Sequence, residues 1–224
     1  MGDLLKRIIL VIAILSCIAL SYGVLAINTP AKLPPKIPTP DDNINLINTT
    51  VENITILKQD SGTNFTKMNV TLQASPLVTV AQAVEFKPPK PGWKLEHVLV
   101  MATDGWNSSS KRNPVPLPFA IEIRDKDGRL LYHYSDTQLP YFTHPQGTKE
   151  IKWADIEIPA LTVNDDFFVC FYGYSQILLL TELQNATGNS YYYDKSNGKL
   201  YHAIITATKN ATVPVNWIIR AAGE

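Results

Sequence analysis

The chain has 224 residues, 20 Lys plus Arg balanced by 20 Asp plus Glu, and 45% hydrophobic residues. Zero formal net charge leaves no field to hold a phosphate backbone, which excludes a dedicated nucleic-acid binder, and the apolar content is ample for one core, which excludes an obligately disordered chain. Sixteen prolines and eleven glycines spread among short apolar runs exclude a helical bundle.

Lys6-Arg7 precede a run from Ile8 to Ile27 diluted only by Ser16, Cys17, Ser21, Tyr22 and Gly23. About 20 such residues cross a hydrocarbon core as a helix. Residues 1–27 therefore read as a signal anchor or a signal peptide, with 8–27 as the membrane contact. The run exceeds the usual apolar region of roughly 7–15 residues, which favours the uncleaved anchor; small Val24 and Ala26 ahead of a cleavage after Ala26 keep the removable peptide open. The basic pair stays in the cytoplasm and all that follows is exported. The expected location is the cell surface, with the C-terminal domain outside, or the secreted fraction if cleavage occurs.

Residues 28–42 carry five prolines in a short polar run and read as an extended linker. Beyond it, Ile54 and Ile56 on one side of Gln59-Asp60-Ser61-Gly62-Thr63, with Met68, Val70 and Leu72 on the other, alternate around a turn. Residues 28–74 thus divide into a Pro-rich linker and a sequon-rich stalk or hairpin. Asn-x-Ser/Thr sequons stand at Asn48, Asn53, Asn64, Asn69, Asn107, Asn185 and Asn210. Roughly two would arise by chance from the Ser and Thr content, so the excess points to glycosylated, solvent-facing asparagines on an exported chain.

From about Ser75 to Glu224 short apolar runs recur with turn chemistry between them. The expected strands are 78–86, 95–102, 118–124, 130–135, 150–158, 166–173, 176–183, 191–194, 201–208 and 215–222. Phe119, Ile121 and Ile123 alternate with Ala120, Glu122 and Arg124, giving one buried and one wetter face. Asp125-Lys126-Asp127-Gly128 makes a hairpin turn, and Phe167 to Tyr172 has no polar face, as a strand covered on both sides requires. No stretch keeps a helical period, so residues 75–224 read as an all-β, antiparallel two-sheet sandwich of jelly-roll type.

The succession Val84-Glu-Phe-Lys-Pro-Pro, Lys94-Leu-Glu-His-Val, Phe119-Ala-Ile-Glu-Ile-Arg-Asp, Trp153-Ala-Asp-Ile-Glu-Ile-Pro, Val163-Asn-Asp-Asp-Phe-Phe-Val, Ser190-Tyr-Tyr-Tyr-Asp and Asn216-Trp-Ile-Ile-Arg-Ala resembles the jelly-roll accessory domains of secreted peptidases and surface proteins of bacteria and archaea. The resemblance implies a non-catalytic sandwich in an extracellular setting. This chain departs from the multidomain members in having no catalytic partner domain.

Residue types point the same way. There is no Gly-x-Ser-x-Gly elbow, His-Glu-x-x-His, Cys-x-x-Cys or phosphate-cradling glycine loop. Cys170, between aromatics, reads as a small buried hydrophobe without a neighbour to activate it. His97, His133, His144 and His202 are scattered singly. Asp155 with Glu157, or Glu122 with Asp125, are the carboxylate pairs a glycosidase would need, but the spacing equally describes a solvated strand face. Asp104, Asp125 and Asp127 are turn carboxylates that a calcium ion would suit, and a plain hairpin turn explains them as well. Arg220 is expected in a structural ion pair or snorkelling, and Trp217 in the core.

Trp106, in Asp104-Gly105-Trp106-Asn107-Ser108, is the residue expected at an exposed turn and the possible ligand contact. The expected function is a non-catalytic cell-surface binding or structural module for a glycan or an envelope protein, without metal or cofactor. The alternative is a secreted hydrolase, peptidase- or glycosidase-like.

Overall fold

The computed structural model describes residues 54–62, 65, 68–208 and 211–224. The export segment 1–27, the proline-rich run and the sequons at Asn48, Asn53, Asn64 and Asn210 lie outside the described residues. Among the described residues no helix is long and apolar enough to cross a membrane.

The described chain is all-β: β1 (Thr55–Lys58), β2 (Val70–Gln73), β3 (Val80–Phe86), β4 (Trp93–Thr103), β5 (Pro118–Asp125), β6 (Leu130–Thr137), β7 (Trp153–Val163), β8 (Phe167–Tyr172), β9 (Leu178–Glu182), β10 (Ser190–Asp194), β11 (Lys199–His202), β12 (Ile204–Thr208), β13 (Ala211–Pro214), β14 (Asn216–Trp217) and β15 (Ile219–Gly223). Two large antiparallel sheets face each other as a sandwich. The first runs β1-β15-β4-β9-β14, with β2 added on β9 and β7 on β4; the second runs β11-β10-β3-β8-β5-β6. β12 and β13 form a separate two-stranded ribbon.

Alternation along the strands builds the core. Phe119, Ile121 and Ile123 of β5, Phe167, Val169 and Phe171 of β8, and Val84 and Phe86 of β3 meet Val98 and Val100 of β4, Ile156 of β7, Leu179 of β9 and Trp217 of β14. Phe119 is the hub of an aromatic cluster, with Phe142 at 5.0 Å and Tyr141 at 5.4 Å between ring centroids, both edge-on. As expected, β8 is covered on both sides: its other residues, Phe168, Cys170 and Tyr172, join Ala81, Ala83, Ala120 and Tyr193 in a second buried cluster on the outward side of the sheet.

The structure departs from the sequence reading in four places. The turn around Gln59 to Thr63 does not fold β1 back on β2; β1 pairs with β15 and β2 with β9, so both extend the first sheet. β7 does not stop before Pro159 but runs on to Val163. Four steps along β7, from Glu157 to Leu161, span only two steps of β4, from His97 to Leu95. Pro159 sits in that irregularity on a strand that pairs on one side alone, the place where a missing N–H breaks no ladder. The same shift lets Leu95 and Val98 both point into the core. The expected strand 201–208 divides at Ala203, whose N–H donates to the Ser190 carbonyl as the chain leaves the sheet. Finally, the outward face of β5 is not wet: Glu122 is 1% exposed and Arg124 8%.

Phe119→Ala removes the hub ring and is expected to destabilise the protein by about 3–5 kcal/mol. Phe168→Ala, in the smaller outer cluster, has the lesser effect. Urea unfolding of both variants checks the order, and a larger loss at Phe168 overturns this assignment of the core.

Candidate functional site

Strand alternation places Ala120, Glu122 and Arg124 of β5 on the outward side of the second sheet. The adjoining small residues Ala81, Ala83 and Cys170 leave room above the strands. Among the described residues no further layer of strands covers this face; a polar network fills it. The Glu122 carboxylate accepts two hydrogen bonds from the Arg124 guanidinium, at 2.9 and 2.6 Å, and one from the Tyr172 hydroxyl at 2.9 Å, all on Oε2. Its Oε1 accepts from Lys195 Nζ at 2.9 Å and lies 3.7 Å from His133 Nδ1. Arg124 also donates to the Gly128 carbonyl and lies over the Tyr193 ring, 4.4 Å from its centroid.

Burial alone would raise the Glu122 carboxyl, but hydrogen bonds from Lys195, Arg124 and Tyr172 outweigh it and hold it below its ordinary range. Burial works against the Arg124 charge too, and the Glu122 hydrogen bonds overcome it and raise its pKa. Tyr172 is pushed up by burial and by the adjacent carboxylate, so it donates and stays neutral. Arg124 and Lys195 thus both face one carboxylate. The depth is uneven: the Arg124 side chain is 10% exposed, those of Lys195 and His133 56% and 44%.

The first sheet carries its own buried ties. Arg220 of β15 donates to both oxygens of Asp60, at 2.9 and 2.7 Å, and to the Gly62 carbonyl at 2.7 Å. Its guanidinium lies 4.6 Å from the Trp153 ring centroid. Glu182 accepts from the Ser61 N–H and hydroxyl and from Asn216 Nδ2. Arg220 therefore stands in the structural ion pair expected for it, with a partner the sequence did not identify.

The other singled-out residues do not converge. Asp104 accepts from the Trp106 N–H, Gln138 and Thr143; Asp125 accepts from the N–H groups of Asp127 and Arg129; Asp127 pairs with Lys126 at 3.2 Å. Asp155 pairs across strands with His97 at 2.9 Å. Among the described residues no group of three or more His, Cys, Asp or Glu is placed to hold a metal ion. Trp106 is half-buried and donates its indole N–H to the Arg112 carbonyl. Asn69 and Asn185 are exposed, whereas Asn107 is half-buried and its side chain accepts from the Ser109 N–H. Cys170 is wholly buried, which pushes its thiol up and keeps it protonated.

His144 is 7% exposed and donates from Nε2 to the Ala102 carbonyl at 3.1 Å, beside the core residue Phe142. Burial pushes its pKa down more than that hydrogen bond raises it. The Glu122 network was the feature sequence reasoning missed. Its signal was Glu122-x-Arg124, two charges on one strand face, but Lys195 lies 73 positions away from Glu122.

Compared with family models, curated proteins and solved structures, the chain matches none.

Removing Glu122 by Glu122→Ala strands two cations and is expected to destabilise by roughly 3–5 kcal/mol. Lys195→Met, at the exposed end, is expected to change stability by less than about 1 kcal/mol. Equal losses in urea unfolding contradict this division. His144 is depressed in the folded state, so the unfolded chain binds the extra proton first and stability falls as pH drops below about 6.5. Glu122 is also depressed, so its contribution is present above about pH 4.3 and is lost on further acidification through its folded pKa. Unfolding midpoints measured from pH 7.5 to 3.5 should show both declines, and His144→Gln should abolish the first.

Proposed function

We propose that this protein is a non-catalytic module of jelly-roll type, displayed at the cell surface by residues 8–27 and carrying a glycan-binding domain. What carries the reading is how the buried carboxylates are used. Glu122, Asp60 and Glu182 each accept from donors on other elements, and the hydrogen bonds on Glu122 hold it toward the ionised form. A general acid or base needs the opposite arrangement, a pKa brought near the working pH and an oxygen open to substrate. These groups act as ties between strands. The likeness to accessory domains of secreted peptidases and surface proteins supports the same reading, as does the excess of sequons, of which Asn69 and Asn185 are exposed.

The ligand contact in this reading is Trp106, at the loop that follows β4, where an aromatic ring beside polar backbone suits the apolar face of a neutral sugar. An envelope protein is the other partner compatible with such a surface.

The full chain is expected to fractionate with membranes, to keep an N-terminus ahead of Lys6, and to carry glycans at Asn69 and Asn185. N-terminal sequencing, and mass spectrometry before and after deglycosylation, read these out. A soluble protein starting at Ile27 overturns the anchor. On a neutral-glycan array Trp106→Ala is expected to remove binding with little change in melting temperature; hydrolysis of the arrayed glycans by the wild type overturns the non-catalytic reading.

A further inference from the structure

We propose that the outward face of the second sheet is a separate binding site for an anionic sugar residue, with Lys195 meeting its carboxylate or sulfate group and Tyr174 its ring. The proposal deepens the glycan-binding reading and rests on it.

Charge comes first. Lys195 and Arg124 are both committed to Glu122, which leaves one positive charge in excess over that carboxylate. The two other acids nearby on β3 and β10 accept from neutral groups and keep their charge, Glu85 from the Tyr191 hydroxyl and Asp194 from Ser196 and Asn197, so an incoming anion is drawn to the Lys195 ammonium itself and not to the face as a whole. Lys195 spends one of its three N–H donors on Glu122, and its ammonium is the cation of the pair that reaches solvent. An incoming carboxylate or sulfate takes a free donor without breaking the tie.

The second observation is backbone strain. Tyr174 and Ser175 both adopt left-handed φ, 48° and 62°, at the centre of a turn, closed by the Gln176 N–H donating to the Gly173 carbonyl, within the five-residue connection from β8 to β9. Such a turn favours Asn-Gly, and non-glycine residues hold it at an energetic penalty. Gly173, just before the turn, leaves no room for a side chain, because a Cβ there would meet the Ile177 carbonyl at 2.6 Å. The conformation presents the Tyr174 ring half-exposed, stacked on Tyr172 at 6.1 Å. The Lys195 ammonium lies 5.7 Å from that same Tyr172 ring.

Ring and ammonium share one end of the sheet. Ser175 Oγ donates to the Ser75 carbonyl, and the Lys195 N–H to the Thr79 carbonyl, so they flank the segment leading into β3. A sugar has both parts, a face of C–H groups for an aromatic ring and, when it is a uronate or sulfate ester, an anion within one residue's reach. Among the described residues, none of the sequon asparagines Asn69, Asn107 and Asn185 lies on β3, β5, β6, β8 or β10.

The test is calorimetric titration of the full chain in detergent, at low salt, with a polyuronate oligosaccharide, a sulfated oligosaccharide and a neutral oligosaccharide of equal length. At least one anionic chain is expected to bind tenfold or more tighter than the neutral one, and uronate against sulfate identifies the anion. Lys195→Met, which keeps the stem and drops the charge, should remove that advantage. Tyr174→Asn, which suits the left-handed turn, should weaken binding fivefold or more with the melting temperature held. Raising the salt to 0.5 M should weaken anionic binding at least tenfold. Equal affinity for neutral and anionic chains, or full anionic binding by Lys195→Met, overturns this site while leaving the glycan-binding reading intact. Absence of binding to every oligosaccharide overturns both, and capture of an envelope protein on this face instead replaces the sugar with a protein ligand.

Discussion

Glu122 is where the second sheet is tied together across its outward side. One carboxylate on β5 is shared by Arg124 on the same strand, Tyr172 on β8 and Lys195 beyond β10. β3 runs between β8 and β10 and offers only Ala81 and Ala83 beneath that network. Larger residues at those positions would fill the space that Arg124 needs to reach the Tyr193 ring. The small residues and the charges are therefore two parts of one solution to covering a sheet face on which no strand layer lies among the described residues.

The first sheet meets the same requirement with chain instead of charge alone. Phe65, between β1 and β2, lies over its outer side and packs with Met101, Ile151, Leu180 and Ile218. Asp60 locks the segment to Arg220, 160 positions later, and Ser61 locks it to Glu182. These ties join the start of the described chain to its last strand. A buried ion pair adds little stability over an apolar replacement of equal shape, yet losing one partner is severe. Its effect is to fix which strand lies where, here the register of β1 against β15.

What could be read from the sequence follows from the range of each signal. Alternation at Phe119, Ile121 and Ile123 and the unbroken apolar run of β8 are local, and both elements formed where expected. β1 and β2 were seen as short alternating runs, but four residues each carry no information on a partner more than 100 positions away, and a nearby turn suggested a hairpin. Pro159 marks a strand end in most contexts; on a one-sided strand with a bulge it does not. Arg220 was recognisable as a paired cation because it shares a face with Ile218, while Asp60 carried no mark of being its partner. Tyr174-Ser175 lacks the Gly and Asn residues that announce a left-handed turn, so its geometry was invisible in the sequence.

The two ionic clusters use similar groups and differ in what they permit. Both side chains of the Asp60–Arg220 pair are at most 5% exposed, so any new partner would have to displace Phe65 or Trp153 and open the protein. In the Glu122 network the buried end, Arg124 with Tyr172, has the same character, but Lys195 closes the other end from solvent. A ligand anion arriving there adds a partner to a cation that is already positioned, and so avoids most of the ordering entropy a free surface lysine would lose. The carboxylate beneath sets a limit as well. It repels a second anion through the same ammonium, so recognition there needs the added contact of a ring, and the strained turn after β8 supplies one in Tyr174.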